Sequence, residues 1–298
     1  MRIISLIAVL SASPAFADVP VVVADIAPVH SLVSQVMEGV GEPELLLPPE
    51  VSPHDLSLRP SQALALQRAD AVFWVGHDLT PWLAGAIGSL GADATSVELL
   101  DLEGTIERVA EADGHDHGHD DDHHGTDPHA WLSPENARVW VRAIAAELAT
   151  IDPANADIYQ ENAQSALHRL DQLDADLIER LSALKNLNFI VFHDAYGYFE
   201  DHFDLRSLGA VALSDADTPG AAHMSELQHI ARSHEIDCYF SEPQFDAKLI
   251  SVLSETLAGL SDAPLIQLDP IGFDLQTGAN LYPDLLNQMA GAFEKCAS

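Results

Sequence analysis

The stretch DPANADIYQENAQSALHRLDQLDADLIERLSALKN, residues 152–186, decides how the chain is read. Ile158, Leu167, Leu170, Leu177, Ile178, Leu181 and Leu184 recur at helical spacing, Asp152 stands where a cap would, and Pro153 suits the first helical position. The pattern predicts one helix over 152–186 that reaches about 50 Å at 1.5 Å per residue, enough to cross a pair of domains. The alternative is two shorter helices with a break near Asp174 to Asp176.

The same pattern lies on both sides of that helix. Before it come VPVVVAD (19–25), ELLLP (44–48), AVFWVG (71–76) and SVELL (96–100), with helical patterns near 29–40, 61–69 and 80–90. After it come NFIVFH (188–193), LGAVAL (208–213), IDCYFS (236–241) and PLIQLD (264–269), again with helices interposed. Strands alternating with helices specify parallel sheets covered on both faces. The expectation is therefore two parallel-sheet α/β lobes, 18–151 and 187–298, joined by one long rigid helix that limits hinge bending, with a ligand cleft between them.

The first residues, MRIISLIAVLSASPAFADVP, combine Arg2, an apolar run from Ile3 to Leu10 and the small-residue pattern Ala15-Phe16-Ala17. They read as a signal peptide, residues 1–17, cut after Ala17. No later stretch approaches the roughly 20 apolar residues of a membrane helix. The mature chain is thus expected free in an oxidising compartment, a bacterial periplasm. Cys238 and Cys296, the only cysteines, then read as a disulfide. Acidic residues outnumber basic ones 47 to 13, for a net charge of −34, which repels nucleic acid and anionic lipid and attracts cations.

Six histidines crowd into GHDHGHDDDHHGTDPHAWLSP, residues 114–134. Five of them, His115, His117, His119, His123 and His124, fall within a Gly, Asp and His run from about 113 to 125 that has no apolar residue and reads as a disordered surface loop. The sixth, His129, stands before a helix that Ser133 caps and Pro134 opens. His193 ends the strand NFIVFH, and His54 follows ELLLPPEVSP on the loop before a helix that Ser61 would cap. Ligands of α/β sheets bind outside the carboxyl ends of the strands, where these three histidines belong. Three imidazoles suit Zn²⁺, leaving a fourth tetrahedral place for water or for a strand-end carboxylate such as Asp269. Three histidines and a water also describe a zinc hydrolase, but the chain has no HExxH pattern.

VSPHDLSLRPSQ, TDPHAWLSPENA, FIVFHDAYGYFE, ALSDADTPGAAHMSEL, CYFSEPQFD and LDPIGFDLQTGANLYPDLL occur in this order. Together they resemble segments of the periplasmic zinc-binding proteins that feed ABC importers, the ZnuA-like branch of the metal-binding solute-receptor family. The resemblance runs from about Val21 to the C-terminus. It implies two α/β lobes joined by a long helix, a receptor that captures Zn²⁺ for an inner-membrane ABC permease, and no catalysis. It also implies His54, His129 and His193 as ligands. Some members add a glutamate before the first histidine, where this chain has Pro53, so water or Asp269 must complete the site. Relatives specific for manganese or iron tend to replace the third histidine by glutamate, whereas His193 is kept here. The His-rich loop is expected to hold weaker metal sites, because ordering it costs roughly 1–2 kcal/mol per residue. A periplasmic metallochaperone is a further expected partner, and a monomer the expected state.

Among the other candidates, His30 reads as helix-start packing, and Trp82, Trp131, Tyr196 and Phe245 as walls of the site or simply core. Glu242 reads as a hydrogen-bond partner of a ligand histidine. His77, His168, His202, His223, His229 and His234 read as surface or capping residues.

Overall fold

The computed structural model describes residues 19–51, 53, 58–110, 125–212, 220–245 and 263–298. Residues 1–17, read above as a signal peptide, His54 and the five loop histidines lie outside these described residues. The first half runs β1 (Val22–Ala24), α1 (Ala27–Val36), β2 (Glu44–Leu45), α2 (Pro60–Arg68), β3 (Ala71–Trp74), α3 (Pro81–Leu90), β4 (Thr95–Glu98), a 3₁₀ turn (Ala130–Leu132) and α4 (Pro134–Ile151). The second begins with α5 (Ala156–Leu181) and continues β5 (Phe189–His193), α6 (Gly197–Phe203), β6 (Ser207–Ala212), α7 (Ala221–Ser233), β7 (Cys238–Ser241), β8 (Leu265–Gln267) and α8 (Leu281–Cys296). Two parallel four-stranded sheets result, ordered β2-β1-β3-β4 and β6-β5-β7-β8.

Strand alternation explains how the layers stack. Val22, Ala24, Ala71 and Phe73 of the first sheet, and Phe189, Val191 and Phe240 of the second, face one common hydrophobic core. Helices α1, α4, α5 and α8 fill it. Val23, Val72 and Trp74 point the opposite way, under Leu66 of α2 and Leu83 of α3. Ile190, Phe192 and Tyr239 do the same under Leu227 of α7. One core therefore runs through both lobes, and hydrogen bonds cross it. Ser31 Oγ donates to Ala279 O (3.0 Å), Trp131 Nε1 to Pro270 O (2.8 Å) and Tyr282 Oη to Trp131 O (2.8 Å).

The long helix is unbroken at Asp174 to Asp176, and at 1.5 Å per residue it spans about 39 Å. It is shorter than predicted at both ends. Asp152 is the C-terminal cap of α4, not the N-terminal cap of α5. Its carboxylate accepts from Asn155 Nδ2 (2.6 Å) and Tyr159 Oη (2.9 Å), which fixes a corner in place of another helical turn. Ser61 does not cap α2 either: the helix opens one residue earlier with Pro60, and Gln62 Oε1 accepts from the Arg59 amide (2.7 Å). Cys238 and Cys296 form the disulfide, joining the start of β7 to the end of α8. Among the described residues no helix is long and apolar enough to cross a membrane.

Two buried carboxyls make folding pH-dependent. Burial pushes Asp25 up to about 7 against the pull of the Val75 and Ile26 amides that it accepts. Burial likewise pushes Glu200 up to about 7, partly countered by the Ser207 amide and hydroxyl. Each folded pKa lies above its unfolded value, so this stability is fully present below about pH 4 and is lost as pH rises toward 7. Glu200→Gln keeps the acceptor and removes the charge. The stability of Glu200→Gln relative to wild type, from urea unfolding, is expected to improve by roughly 1–3 kcal/mol between pH 5 and pH 8. A difference that stays constant with pH would contradict this account.

Candidate metal centre

Two of the three predicted histidines meet where the lobes join. His129 precedes the 3₁₀ turn that leads into α4, whose start is fixed by Ser133 Oγ accepting from the Asn136 amide at 3.3 Å. His193 is the last residue of β5, at the carboxyl end of the second sheet. Both are buried, with 5% and 3% of their surface exposed, and their ring centroids lie 4.9 Å apart at 77°. Trp131 sits edge-on to His129 at 5.2 Å and Phe245 edge-on to His193 at 6.3 Å, so both aromatics act as walls.

The His129 ring is held from behind. Its Nδ1 donates to Asp127 Oδ1 at 2.8 Å, and the same oxygen accepts the His129 backbone N–H at 3.0 Å. An ionised carboxylate only accepts, so the proton belongs on Nδ1 and Nε2 carries the lone pair that a metal needs. Burial by itself raises the Asp127 carboxyl. The hydrogen bonds from His129, its charge whenever the ring is protonated, and the Arg108 guanidinium 3.0 Å away more than offset this and hold it below the ordinary carboxylate range. Asp127 therefore stays ionised. Nothing in the sequence singled it out except its place two residues before a histidine, because Asp-Pro also reads as an ordinary turn.

Behind His193 stands Glu242, its Oε1 3.7 Å from His193 Nδ1 and accepting from Tyr196 Oη at 2.8 Å. Tyr196 also lies 2.9 Å from the carbonyl of Leu268. Asp269 is held in place by hydrogen bonds. Its Oδ1 accepts from Gln244 Nε2 (2.9 Å) and the Ile271 and Gly272 amides (both 3.0 Å), and its Oδ2 from the Phe273 amide (2.6 Å). Among the described residues, which leave out His54, no three His, Cys, Asp or Glu side chains gather into a group that could hold a metal. Trp82 Nε1 reaches the carbonyl of Pro53, the residue before His54, at 3.5 Å.

The remaining histidines mostly have local roles. His30 bonds Pro43 O at 3.0 Å, and His223 bonds Ala210 O at 2.8 Å. His202 corrects its reading as a surface or capping residue: it is largely buried against α5, with Nε2 2.7 Å from Asp174 Oδ1. Asp174 is held below the ordinary range because His202 and Arg138 outweigh its burial, which alone raises it.

Comparison with known proteins supplies context for this geometry. Residues 22–296 match the family model described as zinc-uptake complex component A, periplasmic. The high-affinity zinc uptake system protein ZnuA of Paracoccus denitrificans is 41% identical, over 96% of this chain and 94% of that protein. The crystal structure of a ZnuA superposes with a TM-score of 0.76 at 25% identity, covering 93% of this chain and all of that one. The periplasmic zinc-binding protein TroA from Treponema pallidum gives 0.81 at 19% identity over 94% and 99% of the two chains, a likeness of fold.

Proposed function

This chain belongs to the family of periplasmic A components of zinc-uptake complexes, and on that premise we propose that His129 and His193, with His54, hold the Zn²⁺ it carries. The chain is a zinc-binding receptor that serves an ABC import system, in a family of solute-binding receptors. The observation that carries the ligand assignment is the pair of buried rings 4.9 Å apart, one from each lobe, with the His129 proton placed on Nδ1 by Asp127. Zinc with three imidazoles needs one more donor. Water or Asp269 fills that place: Asp269 Oδ1 accepts three hydrogen bonds, whereas Oδ2 accepts one and keeps a lone pair for a metal.

Imidazole binds zinc only when neutral, so protons compete with the metal and affinity declines as the solution is acidified. The expected setting is periplasmic, after cleavage behind Ala17, with the mature chain acting as a monomer that receives zinc directly or from a metallochaperone. The His-rich segment is assigned a weaker, auxiliary store. Its ends are drawn together by a short antiparallel stem, in which Val109 bridges Thr126 and the Ala110 amide donates to Gly125 O at 2.9 Å.

Calorimetric titration of zinc into metal-stripped mature protein tests the assignment. Deleting residues 114–125 is expected to remove weak sites and leave the tight one, whereas His129→Ala removes the tight one. A deletion that abolishes tight binding while His129→Ala keeps it would move the site into the histidine run.

A further inference from the structure

We propose that Arg108 is a positioning residue for the zinc site, fixing the Asp127 carboxylate behind His129 and fastening it to α6, the helix that follows His193. The proposal rests on the assignment of His129 as a ligand. Arg108 lies in the stem below the His-rich segment, 21 residues before His129 in sequence, and its carbonyl accepts the Asp127 amide at 2.8 Å. Its guanidinium forks. Nη1 contacts Asp127 Oδ2 at 3.0 Å and Nε contacts Asp201 Oδ2 on α6 at 2.7 Å.

Three further contacts make the arrangement specific. Tyr198, also on α6, accepts the Arg108 amide at 2.9 Å and donates to Asp127 O at 2.9 Å, so one hydroxyl ties both sides of the stem to the second lobe. The Arg108 guanidinium carbon lies 5.8 Å from the Tyr198 ring centroid. Gly197, the first residue of α6, leaves the space the guanidinium occupies, and a methyl group there would overlap it.

The chemistry follows from how the two Asp127 oxygens are shared. Oδ1 takes both His129 donors and Oδ2 takes Arg108, so the carboxylate cannot rotate without breaking one side. A guanidinium with fixed fork geometry sets that plane, whereas the single ammonium of lysine neutralises charge without fixing it. Since Asp201 and Tyr198 belong to the helix four residues beyond His193, the same fork sets the separation of the two imidazoles. Outer partners of metal-bound histidines affect affinity by about 10–100-fold.

The test compares wild type, Arg108→Ala, Arg108→Lys, Gly197→Ala and the double variant Arg108→Ala/Gly197→Ala in the mature protein. Zinc affinity is measured by chelator competition, and the His129 tautomer of the zinc-free protein by ¹⁵N NMR of its imidazole. Arg108→Ala is expected to weaken zinc by about tenfold or more and to replace the single Nδ1–H tautomer with a mixture. Arg108→Lys should restore part of the affinity. Gly197→Ala should reproduce Arg108→Ala, and the double variant should be no worse than either single one. A lowered melting temperature with unchanged tautomer and affinity would overturn the proposal, as would a Gly197→Ala effect that persists in the Arg108→Ala background. His129→Ala serves as the reference. If it retains tight zinc binding, the ligand assignment fails and the proposal with it; if it loses the zinc while Arg108→Ala keeps it, the proposal alone fails.

Discussion

Replacing His193 with alanine is expected to weaken zinc binding by at least 10²- to 10³-fold. Closed structural zinc sites are worth roughly 10–16 kcal/mol in apparent terms, so one protein ligand of three or four carries about 3–5 kcal/mol. At 1.4 kcal/mol per tenfold, that is a loss of roughly two to three and a half powers of ten. Position makes substitution by a neighbour difficult. His193 closes a strand whose five residues are all buried, it pairs in register with Ala212, and only 3% of its surface is exposed. Chelator competition on metal-stripped His193→Ala, with near-UV circular dichroism to show that the aromatic packing survives, measures this directly. Native packing with wild-type affinity would remove His193 from the ligand set.

The second large effect concerns stability and should leave zinc alone. The Cys238–Cys296 bridge closes a loop of 58 residues, for which the chain-entropy model gives about 4 kcal/mol. Replacing both cysteines with alanine avoids burying a hydroxyl where Cys238 is fully enclosed. Urea unfolding of this variant is expected to show a loss of roughly 2–5 kcal/mol. Its zinc affinity should equal that of wild type, because Cys238 pairs with Phe189 at the opposite end of β5 from His193, about 13 Å away at 3.3 Å per residue. A loss under 1 kcal/mol would mean that the unfolded chain is restrained by something other than the bridge.

Much of this arrangement is legible in the sequence. Short apolar runs alternating with helical patterns announced both sheets, and Val22–Ala24, Ala71–Trp74 and Phe189–His193 are indeed buried along their whole length, as strands covered on both faces must be. Leucine spacing announced the long helix, and strand-end position announced His193. The misses share a physical cause. Asp152, Asp127 and His202 act through partners that no local pattern specifies: Asp152 binds Tyr159 seven residues on, Asp127 is locked by Arg108, and His202 reaches Asp174 on another helix. Arg108 was invisible for the same reason, since its value lies in a fork between Asp127 and Asp201 that only folding assembles. Asp269 shows a similar limit: its strand-end place was legible, whereas the three successive backbone amides that its oxygens accept were not.

The core that passes through both lobes makes the molecule indivisible in a way its two-sheet outline conceals. Cutting the gene near Asn155 would yield two fragments, each presenting to water the apolar face that the other now covers: α1 and α4 on one side, α5 and α8 on the other. Neither half should be expressible as a soluble product, and heating the intact protein should give one cooperative transition in place of two. A zinc sensor built on this scaffold would then need only a single melting curve, because zinc that binds the folded chain and not the unfolded one raises the temperature at which everything comes apart.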